Sequence, residues 1–355
     1  MRPWRGTGWE DRSGGEGTME EPRLRLMAAP HLHAQDSTAR IMWSVVATLV
    51  PVVLAAVWFF GAGVLLVIGA AMLGAMLVER LLGPGGAIRD GSAAITGLLL
   101  GLTLPPGFPL WMAFIGGAFG IGFGKLIFGG LGQNIFNPAL LGRAFLQAAF
   151  PTAITTWPAV RPGEVLTFQG DLLAAPLMTP AEVDVVTQAT PLGLWKFEGE
   201  VTGLWDLFVG ATGGSLGETS AILILLGGAY LVARNYMNWR IPVGIFATVG
   251  LLSILFGLFD PTFPGPLFMI FSGGLVLGAV YMATDMVTSP ITNGGAWIFA
   301  FGIGFLVVLI RGWGGLPEGV MYAILIMNAL VPFIERITQP RVFGKERGVK
   351  KAEAA

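Results

Sequence analysis

A threonine in a polar loop offers the chain its clearest opportunity for covalent chemistry. The loop contains, in order, Asp184, Val185, Val186, Thr187, Gln188, Ala189, Thr190 and Pro191. The small Ala189 leaves the Thr190 hydroxyl sterically open, and Pro191 biases Thr190 toward extended backbone. An open hydroxyl on an accessible loop is suited to attachment of a group through a phosphoester, although most loop threonines are simply solvated. Residue types alone leave both interpretations open.

The elements that must position this loop are those of a membrane protein. Of 355 residues, 54% are hydrophobic and 12% are charged, and the mean hydropathy is +0.71. Soluble domains usually carry about 25% charged residues. Because the chain has no cysteine, disulfides and thiolate-ligated iron–sulfur or zinc sites within it are excluded. The two histidines, His31 and His33, precede the first apolar run, so bis-histidine haem inside the membrane is excluded and no metal site is predicted.

Recurring apolar segments predict an all-α polytopic protein with about ten transmembrane helices. They lie at 41–60, 64–82, 93–104, 110–128, 137–150, 219–234, 241–259, 266–283, 296–311 and 319–335. A helix that crosses about 30 Å of hydrocarbon needs roughly 20 residues, so 93–104 and 137–150 are short. Short or interrupted segments at matching places in two halves are typical of broken helices that meet near the midplane.

The distribution of positive charge predicts the orientation of these spans. Arginine and lysine concentrate before the first segment, after the second and sixth, and after the last, as expected for cytoplasmic loops. An even span number then makes both termini cytoplasmic. The predicted regions are a cytoplasmic tail 1–40, a five-span repeat 41–150, an extracytoplasmic loop 151–218, a second five-span repeat 219–335 and a basic cytoplasmic tail 336–355. Residues 1–18 are Gly-rich and polar, and we expect them to be a misassigned upstream extension.

Five spans per half imply inverted repeats, and each half contains one polar break, at 129–138 and 284–293. Irregular backbone at membrane depth is tolerated only where it is buried in protein or lines a cavity. Asn134 and Asn137 are therefore candidates for ligand contact, for capping of helix ends, or for both. Asp285 lies either near the cytoplasmic interface or in a cation or proton site, because a deeply buried carboxylate costs about 2.5–3.5 kcal/mol.

Two further features lie inside apolar segments. Arg143 is expected to pair with a carboxylate or a phosphate rather than to face lipid. Glycines at 116, 117, 120, 122 and 124 have the composition of a nucleotide-binding loop, but their place within an apolar span favours close helix packing.

Several stretches, in this order, resemble the D subunits of the Rnf electron-transport complex and the related B subunits of the sodium-pumping NADH:quinone oxidoreductase. They are residues 29–33, 90–106, 130–139, 239–242, 282–285 and 289–290. The resemblance runs over nearly the whole chain from about residue 27. At the loop the family usually shows Ser-Gly-Ala-Thr, whereas this chain has Thr187-Gln188-Ala189-Thr190.

The resemblance implies a membrane flavoprotein. A flavin transferase would join FMN to the Thr190 hydroxyl through a phosphoester, with Asp184, Thr187 and Ala189 as the rest of the attachment motif. A second, non-covalent flavin, riboflavin or FMN, is implied within the membrane part. The breaks that hold Asn134, Asn137 and Asp285 are the predicted place for it.

The implied role is that of one subunit in a redox-driven, ion-translocating complex of the bacterial cytoplasmic membrane. Electrons would pass between ferredoxin- and NAD-side subunits, coupled to Na⁺ or H⁺ movement, with the loop at 151–218 outside. The expected partners are iron–sulfur and NAD-side subunits, an outer-side flavoprotein subunit, the flavin transferase and lipid, and no nucleic acid. No residue is predicted to be catalytic on its own. Three alternatives remain, since fold alone does not settle function. They are an inverted-repeat channel or transporter, an unmodified structural subunit, and a component of the sodium-pumping quinone reductase.

Overall fold

The computed structural model describes residues 36–84, 87–176, 188–218 and 220–340, where its regular elements are helical. The first half comprises α1 (Thr38–Phe60), α2 (Gly63–Leu82), α3 (Ser92–Leu102), α4 (Leu110–Gly124), α5 (Pro138–Ala149) and α6 (Pro151–Thr155). The connecting segment holds α7 (Pro191–Gly193) and α8 (Leu204–Val209). The second half comprises α9 (Ala221–Ala233), α10 (Arg240–Phe259), α11 (Pro266–Phe271), α12 (Leu275–Leu277), α13 (Asn293–Trp313) and α14 (Val320–Thr338).

Short turns continue or link these helices. They are 3₁₀ turns at Ala87–Asp90, Leu126–Phe128 and Leu216–Glu218, and π turns at Leu194–Glu198 and Gly278–Met282. The predicted extension at 1–18 lies outside the described residues, as do Asp184 and Thr187 of the attachment motif.

Six of the described helices are long and apolar enough to cross a membrane, namely α1, α2, α4 with its 3₁₀ continuation, α10, α13 and α14. Helices α3 and α9 are apolar but shorter. The predicted segment 266–283 is interrupted, since α11 ends at Phe271 and helical structure resumes only at Leu275. The described part of the chain is therefore an all-helical, polytopic membrane protein.

Glycines allow the helices of the first half to pack with their backbones in contact. A Cβ atom on Gly117 of α4 would lie 2.1 Å from the Ala71 carbonyl oxygen of α2. A Cβ atom on Gly120 would lie 2.6 Å from the Pro138 carbonyl oxygen of α5. The prediction that the glycine run in α4 serves helix packing is confirmed, because a side chain at these positions would force the helices apart.

The same arrangement recurs in the second half between α10 and α13. A Cβ atom on Gly304 of α13 would lie 2.7 Å from the Thr248 Cβ atom of α10. Large apolar side chains such as Leu73, Leu251 and Phe259 point outward and are exposed. An apolar outer surface of this kind is suited to contact with lipid tails.

Candidate functional site

Both polar breaks line a single cavity of about 100 Å³, here called the inner cavity. Asn134 and Asn137 from the first break contribute to its wall, and so does Asp285 from the second. The three residues predicted from separate halves of the chain are therefore brought together. Aliphatic side chains from α1, α3 and α9 complete much of the wall, a combination typical of small-molecule sites.

Asn137 joins the two halves of the chain. Its side-chain oxygen accepts hydrogen bonds from the backbone N–H groups of Ala139, at 3.0 Å, and Leu140, at 3.4 Å. The prediction that it caps α5 ahead of Pro138 is confirmed. Its amide nitrogen also donates to the Met282 carbonyl oxygen at 3.1 Å. The side chain thus uses both polar ends to fix the α5 terminus against the second break.

Asn328 on α14 strengthens this junction. With its amide oriented to satisfy its neighbours, it accepts a hydrogen bond from the Asn137 backbone N–H at 3.1 Å and donates to the Thr288 carbonyl oxygen at 3.3 Å. It is only 1% exposed. The sequence pattern did not single out Asn328, although a lone asparagine within an apolar helix was a usable signal.

Asp285 and Asn134 occupy the irregular parts of the wall. Asp285 accepts hydrogen bonds from the Val287 backbone N–H at 3.3 Å and from the Thr288 hydroxyl at 3.2 Å, which stabilise the turn that follows it. The Asn134 amide donates to the Phe136 carbonyl oxygen at 3.4 Å and is buried. Both side chains stabilise local backbone while remaining part of the cavity wall.

A buried ion pair stands beside the inner cavity and was missed by sequence reasoning. Lys125, at the end of α4, donates hydrogen bonds to Glu79 of α2 and, at 2.5 Å, to Ser92 of α3. The Lys125 ammonium also lies 3.9 Å from Asp90. The Lys125 and Glu79 side chains are 3% and 0% exposed, and Lys125 lines the cavity. Charged residues inside apolar segments were the available signal.

A second and larger cavity, of about 340 Å³, lies beside the connecting segment and is here called the outer cavity. Thr190 and Ala189 of the attachment motif line it. Charged groups from distant parts of the chain also reach its wall: Arg143, Glu198, Glu218 and Glu318. The candidate acceptor threonine therefore stands at a cavity rather than on an isolated loop.

Thr190 has the local geometry that its neighbours predict. Its backbone is extended, with φ −69° and ψ 154°, as expected ahead of Pro191. Its hydroxyl oxygen accepts a hydrogen bond from the Gly193 backbone N–H at 3.1 Å, so it caps the short helix α7. This contact orients the hydroxyl oxygen with respect to the cavity wall.

Lys196 anchors the segment that carries Thr190. Its ammonium donates to four backbone carbonyl oxygens around the end of α13: Arg311 at 2.9 Å, Gly314 at 2.5 Å, Leu316 at 3.0 Å and Ile310 at 3.4 Å. Burial lowers the pKa of the Lys196 ammonium. A cation at a helix C-terminus interacts favourably with the unpaired carbonyls of the last turn. The Thr190 segment is thereby held against α13.

Arg143 pairs with a carboxylate, as predicted. Its guanidinium lies 2.9 Å from Glu318 Oε2. The other oxygen of Glu318 accepts a hydrogen bond from the Gly274 backbone N–H at 2.7 Å, at the start of α12. Glu318 therefore links α5 to the interruption between α11 and α12.

Glu218 is a carboxyl group of this wall whose pKa is raised. The Ser215 hydroxyl donates to its Oε1 atom at 2.8 Å. Burial, followed by the negative charge of Glu318, raises the pKa of Glu218 to about 7, against the opposing effects of Ser215 and Arg143. Sequence reasoning missed Glu218 because its acidic neighbour lies far along the chain.

Comparison with known proteins shows the family to which the chain is similar. The model of the NQR2, RnfD, RnfE family matches residues 25–344. The D subunit of the proton-translocating ferredoxin:NAD(+) oxidoreductase complex of Clostridium ljungdahlii is 43% identical over 347 residues, which cover 94% of this chain and 99% of that protein. The D subunit of the ion-translocating oxidoreductase complex of Stutzerimonas stutzeri is 42% identical over 90% of this chain and 96% of its own. The D subunit of the Na(+)-translocating ferredoxin:NAD(+) oxidoreductase complex of Acetobacterium woodii is 37% identical over 95% of this chain and 100% of its own.

Proposed function

The chain belongs to the NQR2, RnfD, RnfE family, and we propose that it is the D-type membrane subunit of an ion-translocating ferredoxin:NAD⁺ oxidoreductase complex. The observation that carries this proposal is similarity over nearly the full length to the D subunits of three ion-translocating oxidoreductase complexes, two of which are named ferredoxin:NAD(+) oxidoreductases. The chain would act as one component of a redox-driven translocase, with iron–sulfur and NAD-side subunits and an outer flavoprotein as partners.

The outer cavity is the proposed place of a covalent FMN. The Thr190 hydroxyl lies on its wall, and a volume of about 340 Å³ falls within the range of sites that bind small molecules. Leu192, Phe197 and Met321 supply apolar surface for a ring. Attachment through a phosphoester keeps the Thr190 oxygen available as an acceptor for Gly193 N–H. FMN, when bound, supplies reversible uptake of electrons, while the protein orients it.

Lys196 and Gly193 would act as positioning residues for this group. Lys196 holds the segment against the carbonyl groups at the end of α13, and Gly193 N–H orients the Thr190 oxygen. Both contacts restrict the motion of a group tethered at Thr190.

The inner cavity is the proposed place of the second, non-covalent flavin. Asn134 and Asp285 supply polar groups in its wall, Asn137 fixes the two breaks together, and Lys125 contributes a cationic group. The aliphatic remainder of the wall suits the faces of a planar ring, but a volume of about 100 Å³ is below the range of small-molecule sites, so the cavity must widen to admit a flavin. Asp285 is also a candidate for the path of the translocated Na⁺ or H⁺.

Helix α5 would set the spacing between the two cofactors. Residues Asn137 and Ala139 at its start line the inner cavity, whereas Arg143 and Gln147 line the outer one. At about 1.5 Å per residue, the ten positions from Asn137 to Gln147 span roughly 15 Å. The two cavities are thus neighbours along one helix, which suits transfer of electrons between them.

We further propose ten membrane spans in two inverted five-span repeats, within the bacterial cytoplasmic membrane. Both termini would then be cytoplasmic and the segment at 151–218 would face the outside. The interruption at 266–283 and the short α3 and α5 are the features that support broken helices in this plan.

In-gel fluorescence tests the covalent site directly. The chain is expressed with a flavin transferase, separated on a denaturing gel and digested for mass analysis. We expect fluorescence and an FMN adduct on the peptide that contains Thr190. Thr190→Ala should abolish the signal, whereas Thr156→Ala, which removes an exposed hydroxyl elsewhere in the connecting segment, should retain it. A wild-type chain without adduct would instead favour a channel, transporter or unmodified structural subunit.

A further inference from the structure

Four charged side chains from separate elements gather around the outer cavity. Arg143 lies on α5, Arg311 on α13, Glu318 before α14, and Glu218 in the turn before α9. Arg143, Glu218 and Glu318 line the cavity. Arg311 is fully buried and close enough to both glutamates to interact with their charges. None of these groups takes part in the proposed attachment of a cofactor.

The four groups are not equivalent in their hydrogen bonding. Glu318 receives one bond from the Arg143 guanidinium and another from a backbone N–H. Arg311 donates to the carbonyl oxygens of Met269, at 2.5 Å, and Ser272, at 3.0 Å. Glu218 is held by Ser215, whose hydroxyl is a neutral donor. Of the two carboxylates, Glu218 therefore has the weaker compensation for a negative charge.

Two carboxylates near each other in a cavity wall do not both ionise easily. Burial and the charge of Glu318 raise the pKa of Glu218 to about 7. Glu218 is half-buried, and its remaining surface faces the cavity rather than the protein interior. Its proton can therefore exchange with water in the cavity.

We propose that Glu218 is a proton-binding site of the outer cavity, positioned by Ser215 and by the Arg143–Glu318 pair. A proton fits this place better than a metal cation. A metal ion would lie beside two guanidinium groups, which repel it. It would also have to compete with Arg143 and Gly274 for the oxygens of Glu318.

Proton binding to Glu218 is therefore linked to the charge of any other group in the outer cavity. A negative charge that enters the cavity favours proton uptake, and by reciprocity a bound proton favours that charge. The identity of this charge rests on the proposed function, since a reduced cofactor at Thr190 would supply it. The proton site itself does not depend on flavin attachment.

Infrared difference spectroscopy of the full chain in lipid nanodiscs tests the site. Flavin-free protein is titrated from acid to alkaline pH while the C=O band of protonated carboxyl groups is recorded. A band that disappears with a midpoint near 7 is expected, and Glu218→Gln should remove it. Glu198→Gln changes another carboxylate of the same cavity and should leave the band unchanged. A component with its midpoint near 7 that survives at full amplitude in Glu218→Gln overturns the proposal.

Two milder variants should shift the pH midpoint of the carboxyl C=O band in opposite directions. A general loss of folding would not produce shifts of opposite sign. Ser215→Ala removes a hydrogen bond to the ionised form and should raise the midpoint by about one pKa unit. Glu318→Gln removes a like charge and should lower it. Shifts of the same sign, or no shift in either variant, would contradict the assignment to Glu218. Because the protein carries no flavin in this experiment, the result is independent of the test at Thr190.

Discussion

The inner and outer cavities are built from different kinds of polar group. The inner cavity depends on amide side chains and backbone carbonyls at two helix breaks, and its ammonium group on Lys125 is paired with the buried Glu79. The outer cavity depends on loops and on charged side chains, among them Glu218, whose pKa is raised to about 7 by burial and by the charge of Glu318. The contrast is that the Lys125 charge beside the inner cavity is balanced by a buried carboxylate, whereas the outer cavity carries a carboxyl group whose pKa is raised toward neutrality.

The largest expected effect comes from breaking the buried ion pair beside the inner cavity. Lys125→Met leaves Glu79 buried without its cationic partner and should lower the free energy of unfolding by about 3–5 kcal/mol. Thermal or denaturant unfolding of the chain in detergent measures this loss. If the contrast is correct, adding Glu79→Gln should restore much of the stability.

A surface ion pair provides the matched control. Arg161 and Glu164 are 3.7 Å apart but about half exposed, at 52% and 54%. Arg161→Met should change the free energy of unfolding by only about 0–1 kcal/mol. A loss as large as that of Lys125→Met would show that charge removal, rather than burial, is responsible.

A smaller and more local effect is expected at the outer cavity. Lys196→Met removes the ammonium from the carbonyl groups at the end of α13, and a hydrogen bond to a charged group contributes about 2 kcal/mol. Amide hydrogen exchange in Leu194–Glu198 and in the last turn of α13 should therefore accelerate roughly 30-fold, because about 1.4 kcal/mol corresponds to a factor of ten. Exchange in α5 should be unchanged. Uniform acceleration throughout the chain would contradict local anchoring.

The smallest effect separates the two roles of Asn137. Asn137→Ala removes the cap of α5 and should lower the free energy of unfolding by about 1 kcal/mol. Asn137→Asp keeps the capping oxygen but loses the donor to the Met282 carbonyl. If Asn137→Asp destabilises less than Asn137→Ala, capping dominates; if it destabilises more, the junction between the breaks dominates.

Local geometry was more predictable from sequence than long-range pairing. Pro191 predicts the extended backbone of Thr190, and Asn137 ahead of Pro138 predicts a helix cap, because each effect acts between adjacent residues. A partner for Arg143 was expected from the cost of an unpaired charge in an apolar segment. Its identity was not predictable, since Glu318 lies 175 residues away.

The unpredicted parts of both cavities have the same physical origin. Lys125 with Glu79, and Glu218 with Glu318, interact only after separate helices have packed. No periodicity or spacing in the sequence predicts that these residues will come into contact. The interruption at Ser272 was similarly hidden within an apolar run, where composition alone resembles a continuous helix.

The hydrogen bond between Asn137 and Met282 can form only after both residues have been synthesised. The two residues are separated by 145 positions, and a ribosome that adds about 5–20 residues per second needs on the order of ten seconds to cover that distance. During this interval the first half is already made, yet its helix break has no partner on the other side. The wall of the inner cavity is therefore completed only late in synthesis. Until then, a bulky ligand can enter between the helices that will form the wall.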